Sequence, residues 1–233
     1  MWQLWFGRKR YQAPNGALVY ENPRYRWLMW GGMIHACIHK KNPERPILEY
    51  VKPFISMIRQ KPGNVCLLGV GGLAVVHAMK PYLGGFKVDA VDDSEDIIHI
   101  ARHYFSLGVL DGVGLVHDDA CRFVQQSPKR YQQVLVDLFD ATAFPTSCHH
   151  VDFFKTCRDL LLPDGVLVVN APHVTLHQSI FGLMQSIFER QMLVVPIPKT
   201  ANVLFFGFND KDRRGAEEAF VRQYWDPFWG WMG

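Results

Sequence analysis

The sequence predicts an α/β protein: a doubly wound, mostly parallel sheet with helices on both faces, preceded by a small β appendage. Three observations carry this reading. From residue 64 onward, short Val- and Leu-rich runs alternate with stretches of helical periodicity, and near-continuous apolar runs mark strands covered on both faces. Glycine punctuates the first strand-to-helix junction, in "NVCLLGVGGLAVVHAMK" (64–80). The last two apolar runs, "MLVVPI" and "NVLFFGF", are joined by "PKTA", a link too short for a crossover helix, so they should pair antiparallel.

The elements follow in order. "ALVYEN" (17–22), "YRWLMWGG" (25–32) and "MIHACIHKK" (33–41) are short strands with turn signals at Asn22-Pro23 and Gly31-Gly32. A helix follows over 46–59, with Pro53 a candidate kink. "NVCLLGV" is a buried strand and 73–83 a helix stopped by Gly84-Gly85. After the strand "KVDAVDD" (87–93), Ser94 caps a helix with acidic residues in its first turn, which Gly108 ends. Strands at 112–119, 132–140 and 165–171 alternate with helices at 120–127 and 149–161. A last helix, 176–190, leads into the closing strand pair. A seven-stranded, Rossmann-like sheet closed by an antiparallel strand is the architecture of class I methyltransferase-like proteins. The expected division is an N-terminal β appendage over 1–44 and a nucleoside-binding domain over 45–233. The aromatic tail, "WDPFWGWMG", should pack on the body or on a partner.

Composition narrows the function. Of 233 residues, 48% are apolar, which supports a core and argues against disorder. The net charge of +3 is spread along the chain. The basic clusters "GRKR" (7–10) and "HKK" (39–41) read as solvated surface, so no nucleic-acid partner is expected. Five cysteines without a C-x-x-C pair suggest a reducing compartment. "MWQLWF" is too short for a signal peptide, and no run approaches a membrane span. A cytoplasmic protein without membrane attachment is the expectation.

In a doubly wound sheet, ligands bind outside the carboxyl ends of the strands, near the switch point. The first strand ends in the turn Gly69, Gly71, Gly72, where the backbone can approach a ligand closely. The next ends at Asp92-Asp93, the third at Asp118-Asp119, and the fourth at Asp137, with Asp140 three residues on. A single Asp there is a common turn or cap residue; the set points to a site. Asp92 follows the glycine turn by about 20 residues, the spacing at which an acid takes ribose hydroxyls. Asp119 could accept from an adenine amino group. An acidic rim disfavours a polyanion and suits a cation such as a sulfonium. "GVGGLA" also satisfies G-x-G-x-x-A, so an NAD site is a rival, weakened by the extra acids and the closing hairpin. A P-loop lacks its Gly-Lys-Ser/Thr ending.

These residues resemble the spermidine synthase family, polyamine aminopropyltransferases, over roughly 17–208, with divergent bacterial members the closest in look. "VDDSEDIIHIARHYF" looks like the family's strand-two acid and helix, which implies Asp92 as the ribose acid. "VHDDACRF" is similar to the adenine-contacting segment and implies Asp119 and Ala120. "YQQVLVDLFDATAFP" looks like the family's D-x-x-D segment and implies Asp137 as catalytic acid/base and Asp140 as amine anchor. The resemblance implies decarboxylated S-adenosylmethionine, or S-adenosylmethionine, as co-substrate, an amine acceptor, no metal, and a homodimer. Two departures stand out. The family's glycine turn reads G-G-G-D-G, and here Gly69-Val70-Gly71-Gly72-Leu73 lacks the acid. The family's Tyr-His-Glu run is "ILE" here and keeps only Glu49, and His35 stands near where a Gln is usual. Glu49 and His35 are thus the acceptor-side candidates. The alternatives are a methyltransferase and a non-catalytic nucleoside-binding member.

Other groups carry less. His173 and His177 have metal-ligand spacing only if their helix begins before His173, and Cys148-His149-His150 lacks a completing ligand. Cys121 and Cys148 have nothing nearby in sequence to activate a thiolate. The stretch 143–150 is placed to form a loop over the site.

Overall fold

Short alternating runs at the start of the chain build a four-stranded antiparallel sheet in the computed structural model, which describes residues 6–139 and 144–209. Its strands run in sequence order: β1 (Arg8–Gln12), β2 (Leu18–Glu21), β3 (Tyr25–Trp30) and β4 (Met33–His39). Asn22 closes the β2–β3 turn by accepting from the backbone N–H of Tyr25 at 2.7 Å. Gly31 and Gly32, at φ 55° and 78°, form the β3–β4 hairpin, which requires positive φ at both central positions. β1 was not anticipated from the basic cluster. It is an exposed edge strand, and such a strand carries no apolar alternation to read.

The helix expected over 46–59 needs correction. It forms two short turns, α1 (Val51–Phe54) and α2 (Ser56–Gln60), separated at Ile55. Pro53 sits in the first turn of α1, where its missing N–H costs no hydrogen bond. Lys52 just upstream of it is helical, and the continuity is lost after Phe54 instead, where Ile55 leaves the helical region at φ −93° and ψ 6°.

From Val65 the Val- and Leu-rich runs become a seven-stranded sheet of order β10-β11-β9-β8-β5-β6-β7. The strands are β5 (Val65–Leu68), β6 (Val88–Asp92), β7 (Val113–His117), β8 (Tyr131–Val136), β9 (Leu161–Ala171), β10 (Met192–Pro196) and β11 (Val203–Phe208). β5 pairs parallel with both β6 and β8, so the winding reverses at β5. β11 runs antiparallel to both β9 and β10, the closing strand expected from the short link. Between the strands lie α3 (Ala74–Met79), α4 (Glu95–Ile100), α5 (Ala120–Gln126), α6 (Val151–Asp159) and α7 (Val174–Phe188). Ser94 caps α4 by accepting from Ile97 N–H, and α4 continues as a π-helical turn over Ala101–Phe105.

Alternation along the strands separates two cores. Leu204, Phe206 and Phe208 face one layer and Phe205 the other; Leu67 faces the first and Cys66 and Leu68 the second. The first layer is continuous with Val19, Leu28, Ala36 and Ile38 of the small sheet, so the two sheets share one core. Each such large side chain contributes about 1.5–3 kcal/mol by leaving water. The small sheet is thereby held over one end of the large one, which creates the cleft described next.

Candidate active site

The reversal at β5 leaves a crevice above the carboxyl ends of β5, β6, β7 and β8, and the small sheet walls it in. The resulting pocket has a volume of about 620 Å³. Its floor is the turn after β5. Gly69 adopts φ +95°, and a Cβ there would lie 2.1 Å from the carbonyl oxygen of Asp137. Only glycine lets the β5 and β8 ends come this close. Gly72 is fixed differently: a Cβ there would lie 2.7 Å from the Ala36 Cβ and 3.1 Å from the Phe105 ring. Leu73 opens α3 in the left-handed region at φ 54° and is buried.

Asp92, at the end of β6, ties this turn to the sheet. Its Oδ2 accepts from Val70 N–H at 2.9 Å and its Oδ1 from Ser94 N–H at 3.1 Å. Burial pushes its pKa up to about 6, against the pull of the backbone donors. A carboxylate has about four acceptor positions, so both oxygens can take further hydroxyl donors. Asp119 lies after β7 and caps α5, accepting from Arg122 N–H at 2.8 Å; Ala120 follows it in the pocket wall. The ordinary role of Asp119 as a cap is therefore realised, with the residue still lining the pocket.

Asp137 ends β8 on the other side of the switch point. Tyr50 Oη donates to its Oδ2 at 2.8 Å and Asn170 Nδ2 to its Oδ1 at 2.8 Å. Asn202 Nδ2 donates in turn to Asn170 Oδ1 at 2.9 Å. Burial raises the Asp137 pKa, while the two donors oppose this. Burial and the adjacent carboxylate hold the Tyr50 pKa well above its ordinary value, so Tyr50 remains the donor. A half-buried carboxylate with raised proton affinity and both oxygens oriented by neutral donors has the character of a general base.

The structure brings Gly69, Gly71, Gly72, Asp92, Asp119, Ala120, Asp137, Glu49 and His35 to one pocket. Glu49 is exposed at its edge. His35 stands against Trp30, with ring centroids 5.9 Å apart and Nε2 3.1 Å from the Trp30 carbonyl oxygen. Asp140 lies outside the described residues, as does the aromatic tail. Sequence reasoning missed Tyr50, Asn170 and Asn202. The available signals were a Tyr directly after Glu49 and a polar residue inside the apolar run "GVLVVNA". The loop after β8 contributes Pro145 and Cys148 to the wall. Burial pushes the Cys148 thiol up, which disfavours a thiolate nucleophile. α7 begins at Val174, so His173 precedes the helix and does not stack one turn below His177. His177 Nε2 instead lies 3.0 Å from the Ala201 carbonyl oxygen, joining α7 to the closing hairpin. Among the described residues, no three His, Cys, Asp or Glu side chains group as a metal site.

A reversed parallel sheet with an antiparallel closing strand and acids at successive strand ends defines the class I methyltransferase-like fold. It superposes on human methyltransferase-like protein 13 in complex with SAH at TM-score 0.59 and 17% identity, over 74% of this chain and 92% of that one. The likeness is greater to a probable spermidine synthase from Corynebacterium glutamicum, at TM-score 0.74 and 17% identity over 88% and 80% of the two chains. At such identities these superpositions speak for the fold. Residues 47–213 match the spermine/spermidine synthase domain model, and the chain belongs to that family. Among sequence relatives, the polyamine aminopropyltransferase of Neisseria meningitidis serogroup A is 23% identical over 185 residues, covering 77% of this chain and 70% of the relative. That of Chromobacterium violaceum is 25% identical over 179 residues, covering 75% and 69%. These homologues are transferases by name, and the chain is a spermidine-synthase-like member of a transferase family.

Proposed function

We propose that this protein transfers an aminopropyl group from decarboxylated S-adenosylmethionine to an amine, with Asp137 as the base. The observation that carries the proposal is the Asp137 carboxylate, oriented by Tyr50 and Asn170, in the same pocket as Asp92 and the glycine turn. In this reading Asp92 accepts the ribose hydroxyls, Asp119 and Ala120 border the adenine, and Gly69, Gly71 and Gly72 let the backbone approach the sulfur end. Glu49, His35 and Asp140 belong to the acceptor side. The acceptor arrives as an ammonium, which has no lone pair, so a proton must first pass from nitrogen to Asp137. The freed lone pair attacks the carbon bonded to the sulfonium, the carbon–sulfur bond breaks, and methylthioadenosine leaves; the remaining acceleration comes from alignment and exclusion of water.

The test is methylthioadenosine release by the purified protein with decarboxylated S-adenosylmethionine and a panel of amines. Asp137→Asn should lower the rate by about 10²–10⁴-fold, the usual contribution of a general base, with the fold intact by circular dichroism. No release with any amine would reject the reading. A methyltransferase is the second reading, favoured by one observation: the place of the family's glycine-turn acid is closed by Ala36 and Phe105, so the site holds one counter-charge fewer, which suits S-adenosylmethionine, whose own carboxylate makes it one charge less cationic than the decarboxylated donor. S-adenosylhomocysteine as product would decide for it. The homodimer expected from the family is read by sedimentation of the same preparation.

A further inference from the structure

The acids of the pocket are unevenly placed. Asp92, Asp93, Asp118, Asp119 and Asp137 follow β6, β7 and β8, and Glu49 adjoins Tyr50, which touches Asp137. Beyond Asp137 the sheet continues to β9 and β11, and there the lining carries Asn170, Asn202, Thr200 and His173, together with Lys199. Lys199 is the one Lys or Arg lining the pocket among the described residues. No ion pair is formed by its ammonium among those residues.

The backbone holds Lys199 in that place against its preference. Thr200 N–H donates to the Ile197 carbonyl oxygen at 3.3 Å, which closes a β-turn with Pro198 and Lys199 as its central residues. Lys199 has φ 62°. Proline followed by a residue of positive φ is a type II turn, whose third position belongs to Gly or Asn. A long side chain in left-handed backbone is disfavoured, and such outliers gather at ligand sites. The turn is locked from both sides: Thr200 Oγ1 donates to Ile197 O at 2.9 Å, and Asn202 N–H donates to Thr200 Oγ1 at 3.1 Å. Asn202 is also the outer member of the chain leading through Asn170 to Asp137.

We infer that Lys199 reads an anionic group on the acceptor, so that the substrate class is an amino carboxylate rather than a diamine. This rests on the transferase reading of the same pocket. The attacking nitrogen lies by Asp137 and Glu49. The carboxylate lies toward the closing hairpin, two strand spacings or roughly 10 Å across the sheet. A second ammonium there would meet like charge, whereas a carboxylate gains a charge-assisted hydrogen bond.

The test is calorimetric binding of 4-aminobutanoate and 1,4-diaminobutane, and of longer and shorter pairs of equal length, with and without saturating methylthioadenosine. The expected result is at least about tenfold tighter binding of the amino carboxylate in the best pair, about 1.4 kcal/mol. Lys199→Glu should invert the order. Lys199→Gly should abolish the preference without lowering Tm, since glycine suits the turn; a purely structural lysine would leave the preference unmoved. Diamines binding as well as or better than amino carboxylates throughout the series, or a preference unchanged in Lys199→Gly, overturns the inference. Failure of methylthioadenosine itself to bind counts against the proposed function, while the acceptor ratio, read in either state, still judges Lys199.

Discussion

The two buried-end carboxylates, Asp92 and Asp137, share a raised pKa for the same reason and carry different consequences. Asp137 receives neutral donors from Tyr50 and Asn170, which stabilise its charge against burial. Tyr50→Phe removes one donor and should raise the Asp137 pKa further. The acid limb of the kcat/KM profile then moves to higher pH, while the rate on the alkaline plateau changes less. An acid limb that stays in place would show that this bond does not tune Asp137. Asp92 bears on stability. Burial raises its folded pKa to about 6 from an ordinary 3.8, so the folded state binds the proton more tightly. The associated stability is present at acid pH and lost as pH rises through about 6. Against Asp92→Asn, the wild type should therefore lose on the order of 2–3 kcal/mol between pH 4 and 7. Denaturant titrations of both proteins at the two pH values measure this difference. In the proposed reading the charged form of Asp92 accepts the ribose hydroxyls, so nucleoside binding should strengthen over the same interval.

At the scale of elements, the glycine turn between β5 and α3 is where backbone and side-chain constraints meet. Gly72 is buried against Ala36 of β4 and the Phe105 ring. Gly72→Asp places the family's acid where β4 already packs, and overpacking alone should cost about 1–3 kcal/mol. The expected outcome is a lower denaturation midpoint without gain of methylthioadenosine release, and Ala36→Gly in the same chain should restore part of the loss. Most strands and helices from β5 onward were legible because apolar runs of period two and 3.6 are local signals. Asp92, Asp119 and Asp137 were legible because each follows such a run directly. Tyr50, Asn170 and Asn202 were not, because their meaning arises only when three distant segments meet at one carboxylate. β1 stayed unread because an exposed edge has no apolar code. Lys199 gave no local sign either, since a lysine after proline looks like an ordinary surface turn.

Across the whole molecule, the small sheet behaves as part of the large one. Ala13, Val19, Leu28 and Ile38 belong to the same buried layer as Val65, Val168 and Phe206. Polar contacts reinforce the seam: Asn15 N–H donates to Asp96 Oδ2 at 2.9 Å, the Arg26 guanidinium reaches the Tyr104 carbonyl oxygen, and Tyr11 stacks on Tyr104 at 5.0 Å. Thermal unfolding should accordingly be one transition with equal calorimetric and van't Hoff enthalpies; a separate early transition would mean that the small sheet melts on its own. The contact between Gly72 and Ala36 also lies on this seam, and it sets an order on change. With Ala36 and Phe105 in place, a mutation placing an acid at 72 meets a penalty before it brings any benefit. Room must first be made at another strand by a change that confers nothing by itself. An acid at this turn is thus reachable only through a fixed order of events, and the direct single step is blocked.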